Sequence, residues 1–260
     1  MCLAVVALDA HPRFGVVVAA NRDEFHARAA APAQWWPADG DRDILAGRDL
    51  VHGGTWLGVD HRGRWAFVTN VREAGRHDPL APSRGALVPQ ILRSDGCVAH
   101  AVAGALADGR AMNGFNVIGG DARQAVFASN RGLGSAFSLT RGIRGVSNAG
   151  LDTPWPKLVR ATQGVAAWID RGGDDIGSLF AVLQDRTPAL DADLPSTGLT
   201  LARERLLSAP FIVSPDYGTR CSTLVALARD GAVHVIERRF DAAGARVDDA
   251  EFHFASTPRA

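Results

Sequence analysis

The chain has 260 residues, of which 28 are basic and 28 acidic, and 47% of its positions are hydrophobic. A chain of that composition is expected to fold as an ordinary soluble protein, and its lack of net charge argues against nucleic acid or an acidic membrane surface as an obligate partner. No apolar run reaches the roughly 18 residues of a membrane span, and the first is too short for a signal peptide. Three cysteines, Cys2, Cys97 and Cys221, cannot all pair and show no zinc-like spacing, so a reduced, cytoplasmic setting is expected and no metal.

Leu3 to Leu8 and Phe14 to Ala20 are almost unbroken in apolar residues, and Asp9 to Arg13 between them is a turn-forming cluster. The pattern predicts an antiparallel hairpin whose facing residue numbers sum to about 23. Cys2 is then expected opposite Asn21, with Arg22, Asp23 and Glu24 emerging at the same sheet end. Phe25 to Asp43, with Trp35 and Trp36 in its middle, reads as a loop pinned by aromatics or a lid. Gly53 to Val59 and Arg64 to Thr69 predict a second hairpin around Asp60 to Gly63, with Gly53 and Gly54 facing Thr69 and Asn70. Such glycines admit either a neighbouring backbone or a ligand.

Ser83 is the expected N-cap of a helix running to Arg93, with Leu87, Ile91 and Leu92 on one face and Pro89 as a potential break. A second, alanine-rich helix is expected over Val98 to Leu106, then strands over Phe115 to Ile118 and Ala125 to Ala128. Gly145 to Asn148 ends another strand. Asp152 or Thr153 is the expected cap of a helix reaching Asp170, with proline in its first turn. Asp174 or Asp175 starts a shorter helix to Gln184, and Thr187 to Gly198 reads as a mobile loop. Thr219 to Ala228, Ala232 to Phe240 and Glu251 to Phe254 predict a closing meander. Strand groups at both ends and in the middle, with helices between, imply a single α+β domain of two stacked, mainly antiparallel sheets covered by helices.

Position 2 carries a chemical possibility of its own. Aminopeptidases remove Met1 before a small side chain, and processing there leaves Cys2 with thiol and α-amine on one residue. An α-amine titrates near neutrality and can act as base to its own thiol, and a cation such as Arg22 would stabilise the thiolate. The competing assignment is a small apolar strand residue.

The string Asn21-Arg22-Asp23-Glu24, with MC at 1–2, GGTWLG at 53–58, TN at 69–70, GFN at 114–116, SN at 147–148, TPWPK at 153–157 and YGTRCST at 217–223, resembles the NRDE family, also called the transport and Golgi organisation protein two family. The resemblance implies a four-layer αββα sandwich like that of the N-terminal nucleophile hydrolases, with cysteine acylases as the nearest analogy. It implies Cys2 as nucleophile and base, Arg22 as its charge partner, Asp23 as acceptor from the α-amine, Asn70 or Asn148 as oxyanion donor, and Arg220 completing a polar floor. Asn21, Gly54, Trp56 and Asn116, all inside those motifs, are the substrate-binding candidates. In those acylases the arginine and aspartate are separated by two residues, whereas here they are adjacent and on one strand would face opposite ways.

Two functions follow. One is hydrolysis of a small amide or thioester through a Cys2 acyl-enzyme, with no cofactor required. The other, implied by the family's association with haem trafficking and acyl-CoA or lipid metabolism, is a site that binds haem or an acyl-CoA without chemistry. For haem the chain offers Cys2, His26, His52, His61 and His77, without a CxxCH motif. A scaffold role is third and predicts an exposed apolar patch.

Overall fold

The computed structural model describes residues 3–36, 44–132 and 134–257. Cys2 lies outside the described residues. Among the described residues, thirteen strands form two antiparallel sheets. The six-stranded sheet contains β1 (Leu3–Leu8), β2 (Phe14–Phe25), β10 (Gly142–Val146), β11 (Tyr217–Ala228), β12 (Ala232–Phe240) and β13 (Arg246–Ala255), in the order β10-β1-β2-β11-β12-β13. The seven-stranded sheet runs in sequence order through β3 (Ala30–Trp35), β4 (Ile44–Asp49), β5 (Leu57–Asp60), β6 (Trp65–Asn70), β7 (Phe115–Gly120), β8 (Ala125–Ser129) and β9 (Phe137–Ser138).

The near-continuous apolar runs follow from burial of both sheet faces. Ala4, Val6 and Leu8 of β1, with Val16, Val18 and Ala20 of β2, point between the sheets toward Trp56, Trp65, Phe67 and Ile118. Leu3, Val5 and Ala7, with Val17 and Ala19, point outward under α3 (Pro156–Asp170) and α4 (Phe180–Leu183). On the far side, α1 (Leu87–Arg93) and α2 (Val98–Asp108) cover the seven-stranded sheet through Leu87, Ile91, Val102 and Ala105. The result is the αββα sandwich. Close layer contact is visible at Gly145, where an added Cβ would lie 2.5 Å from Leu158 of α3.

Several local expectations hold. Ser83 caps the helical start by accepting from Gly85 N at 3.3 Å, and Asp175 accepts from Gly177 N at 2.8 Å. Pro89 lies in the first turn of α1, where its missing N–H costs no intrahelical bond. Pro156 opens α3, but Asp152 does not cap it; that carboxylate accepts from Gly145 N at 2.8 Å, and Trp155 occupies the cap position.

The differences have physical causes. The first hairpin pairs Leu3, not Cys2, with Asn21, and Ala4 with Ala20. β2 does not stop at Ala20; pairing with β11 carries it through Asn21, Arg22 and Asp23 to Phe25 despite the polar side chains. The second hairpin pairs Leu57 with Phe67, so Gly53 and Gly54 precede the strand and do not face Thr69 and Asn70. A Cβ on Gly54 would lie 2.5 Å from the Gly85 backbone, so the close approach there is to another backbone. Within Phe25 to Asp43, Ala30–Trp35 is the edge strand β3, irregular between Ala31 and Gln34 where Pro32 cannot donate. Trp35 stacks on His61 with ring centroids 3.8 Å apart, and Trp36 Nε1 donates to Ala46 O at 2.9 Å; residues 37–43 lie outside the described residues. The segment Thr187 to Gly198 is tied down by Ser208, which accepts from Ala189 N, and by Glu204, which accepts from Thr197 N. Glu204 belongs to α5 (Leu201–Leu206), capped by Thr200, whose six residues are too few to show a helical period. No helix among the described residues is long and apolar enough to cross a membrane.

Candidate active site

Strand ends carrying most of the anticipated polar residues meet at the amino-terminal end of β1. That strand lies between β10, through Ala4 and Val146, and β2, through Leu3 and Asn21. Just past those pairs stand Ser147 and Asn148 on one side and Arg22 and Asp23 on the other, all buried.

Asn148 links both sheets and a helix. Its Nδ2 donates to the Asn70 carbonyl at 3.0 Å, across from the end of β6, and its Oδ1 accepts from Lys157 Nζ at 3.1 Å. Lys157 sits in the first turn of α3 and is 1% exposed. The adjoining Arg72 donates its backbone N–H to Asn148 O at 2.7 Å, pairs with Glu204 at 2.7 Å and stacks over Trp155. Asn70 thus joins the group through its main chain. Asn116, one strand further in, donates to Thr69 Oγ1 at 3.2 Å and Ala149 O at 2.6 Å, which holds the turn after Asn148 in place.

Because β2 continues as a strand, alternation sends Arg22 and Asp23 to opposite faces. Asp23 faces the helix layer, where its Oδ1 accepts from Thr219 Oγ1 at 2.7 Å while Thr219 accepts from Ile212 N at 2.9 Å. Asn21 shares that face; it donates to Leu183 O at 2.8 Å and Pro210 O at 2.9 Å and accepts from Ser222 Oγ at 2.6 Å. These bonds use both amide hydrogens, so Asn21 fastens β2 to the chain beyond α4.

Arg22 points between the sheets. Its guanidinium lies 4.5 Å from the Trp56 ring centroid and 3.9 Å from Glu24. The ring lies flat there because position 47 is glycine: a Cβ would come within 2.3 Å of Trp56. Arg22 and Trp56 line a cavity of about 240 Å³ together with Arg220, Cys221, Glu237 and Arg239. Arg220 occupies the irregularity in β11 between Thr219 and Cys221, which turns its guanidinium onto the carbonyls of Phe25 and His26 at 3.1 and 2.9 Å. Burial, then the Arg22 charge, lowers its pKa.

Glu237 is 1% exposed, accepts from Ala33 N at 2.7 Å, and has its pKa raised by burial. Burial, and secondarily Glu237, raises the Cys221 thiol well above its ordinary value, which makes it a poor nucleophile at neutral pH. Gly54, packed on Gly85, stands apart from the cavity lining. The histidines considered for haem do not line the cavity either: His26 is held on Ser214 O at 3.0 Å, and His52, His61 and His77 are exposed. Lys157, Thr219 and Glu237 were not among the expected site residues. Lys157 carried a signal as the sole lysine, inside TPWPK, and Glu237 as a carboxylate on the inward phase of an apolar strand.

The αββα sandwich has an N-terminal-nucleophile-hydrolase-like fold. The structure matches a Caenorhabditis elegans ortholog of N-acylethanolamine-hydrolyzing acid amidase with a TM-score of 0.50 at 13% identity, over 86% of this chain and 92% of that one. It also matches a variant of the conjugated bile acid hydrolase of Clostridium perfringens with a TM-score of 0.50 at 10% identity, over 100% and 99% of the two chains. At sequence level, the family model described as Transport and Golgi organisation 2 matches residues 1–242, and the chain belongs to that family. The Bos taurus and Homo sapiens Transport and Golgi organization protein 2 homologs are 34% and 33% identical over 258 residues, each covering 92% of both chains.

Proposed function

We propose that this protein hydrolyses a small amide or thioester through a covalent acyl-enzyme on Cys2, after removal of Met1. The observation that carries the reading is that buried Arg22, Asn148 and Lys157 stand at the amino-terminal end of β1, with Asp23 on the opposite face of the same strand end, within a fold shared with an N-acylethanolamine-hydrolyzing acid amidase and a conjugated bile acid hydrolase.

In this reading the Cys2 thiolate adds to the substrate carbonyl, and its α-amine takes the thiol proton and returns it to the departing amine or thiol. Water then cleaves the acyl-thioester, releasing acid and free Cys2. Arg22 favours the thiolate, and Asp23 accepts from the protonated α-amine. Asn148 is the oxyanion donor: one amide hydrogen goes to Asn70 O, and the second remains for the developing charge. Lys157 fixes the orientation of that amide through its oxygen. Asn70 then positions Asn148, and Arg220 sits beside Arg22 in the cavity, which holds one end of the substrate.

A panel of N-acyl amides and acyl thioesters, incubated with the processed chain and analysed by chromatography, tests the reading. Turnover that disappears in Cys2→Ala supports it; turnover by neither class, or turnover retained in Cys2→Ala, contradicts it. Binding of haem or acyl-CoA is the second reading of the family resemblance; among the described residues no histidine lines the cavity.

A further inference from the structure

A second cluster of ligating side chains lies away from the strand-end site, on the outer face of the six-stranded sheet. His234 of β12 and His253 of β13 are directly opposed in the ladder. Glu251 precedes His253 by two residues and therefore shares its face. The two imidazoles stack with centroids 3.8 Å apart and an interplanar angle of 26°. Both Nε2 atoms are directed at one carboxylate oxygen, Glu251 Oε1, at 2.8 Å from His234 and 3.1 Å from His253. The candidate ligand atoms of all three residues lie within 4.8 Å of one another.

From this geometry we infer that His234, Glu251 and His253 form a binding site for a divalent transition-metal ion, zinc in the first instance. Two imidazole nitrogens and a carboxylate oxygen are borderline donors suited to zinc, at about 2.0–2.2 Å each, with water completing a tetrahedron. Calcium or magnesium would need several further oxygens, which the cluster does not supply. The point on which the two nitrogens converge is marked by Oε1, so an ion entering there needs the carboxylate to shift from hydrogen-bond acceptor to ligand while the strands stay in register. Each Nε2 must present its lone pair to the ion, so a neutral ring that carries its hydrogen there shifts to the Nδ1–H tautomer on binding.

The position gives the ion a structural consequence. β13 is the edge strand of its sheet, joined to it only through β12, and such edges present unpaired backbone groups. A metal bridging His234 to His253 and Glu251 clamps the edge to its neighbour across the strand pair. The partial exposure of the cluster, 23% for His234 and 65% for His253, lets the ion exchange with solvent.

Calorimetric titration of the full chain with zinc chloride, in two buffers of different ionisation enthalpy, tests the inference. The expected result is one saturable equivalent of zinc in both buffers, no heat with calcium, and a visible band of four-coordinate cobalt when cobalt(II) is used. His234→Ala and His253→Ala should each weaken zinc at least about tenfold, the low end of what losing even an outer partner of a metal ligand costs. His77→Ala, on an exposed loop elsewhere, should leave the affinity unchanged, and circular dichroism of each variant checks that the fold persists. Absence of a saturable equivalent, or undiminished binding in both His234→Ala and His253→Ala, would overturn the site.

Discussion

Lys157 Nζ donates to Asn148 Oδ1 at 3.1 Å, so a buried amine on α3 aims the amide that also bridges to the Asn70 carbonyl across the sandwich. The chain's single lysine thereby fixes a residue at the strand end where the proposed chemistry is placed. Asn148→Ala removes one hydrogen-bond partner of the buried Lys157 Nζ and should lower stability by about 1–3 kcal/mol, read as the midpoint of urea unfolding. Lys157→Met keeps the packing stem and leaves the amide held only through Asn70 O, so it should lower kcat more than it raises KM. An unchanged midpoint for Asn148→Ala would show that the bond contributes nothing.

Burial raises the Glu237 pKa above the 4.5 of an ordinary glutamate. The folded chain then holds that proton more tightly than the unfolded chain. Its contribution to stability is complete below the unfolded value and is lost as pH rises through the folded one. Glu237→Gln stays neutral and keeps an acceptor for Ala33 N. Its melting temperature should therefore decline less than wild type between mildly acidic and alkaline pH, and parallel melting curves across that window would contradict the assignment.

Gly47 leaves room for the Trp56 ring on which the Arg22 guanidinium rests. Gly47→Ala forces the ring aside and should cost about 1–3 kcal/mol, as overpacking of a filled site does. Trp56→Phe in the Gly47→Ala background should recover part of that loss, measured by urea unfolding.

Arg22 is the buried cation at the amino-terminal end of β1. Arg22→Gln should slow acylation of Cys2 by about tenfold, the effect of roughly one pKa unit on the thiolate. The rate should approach wild type as pH is raised, because the thiolate then forms without help. A deficit that persists unchanged at alkaline pH would assign Arg22 to packing alone.

The fold was legible where one periodic signal decided the outcome. Runs such as Leu3 to Leu8, apolar in both phases, marked strands covered on both faces, and Leu87, Ile91 and Leu92 marked a helix face. Several of the motif residues, among them Arg22, Asp23 and Asn148, lie at one end of the six-stranded sheet. What was not legible depended on partners distant in sequence. β2 continues through Asn21 to Phe25 because β11, about two hundred residues later, pairs with it. That extension turns Asn21 and Asp23 toward the helices and leaves Arg22 alone between the sheets. A register offset of one residue placed Leu3 opposite Asn21, which no local turn signal specified. Glu237 faces the cavity through an alternation visible in sequence, but its bond to Ala33 N depends on an irregular edge strand in the other sheet.

The central claim is tested most directly by the intact mass of the purified chain before and after a thiol-directed acylating probe. In a Cys97→Ser background, which removes the exposed thiol, the account predicts a mass lacking Met1 and one adduct that disappears when Cys2→Ala is added, with Cys221 unlabelled because its thiol is buried. In that background a chain that retains Met1, or an adduct that persists with Cys2→Ala, would contradict it.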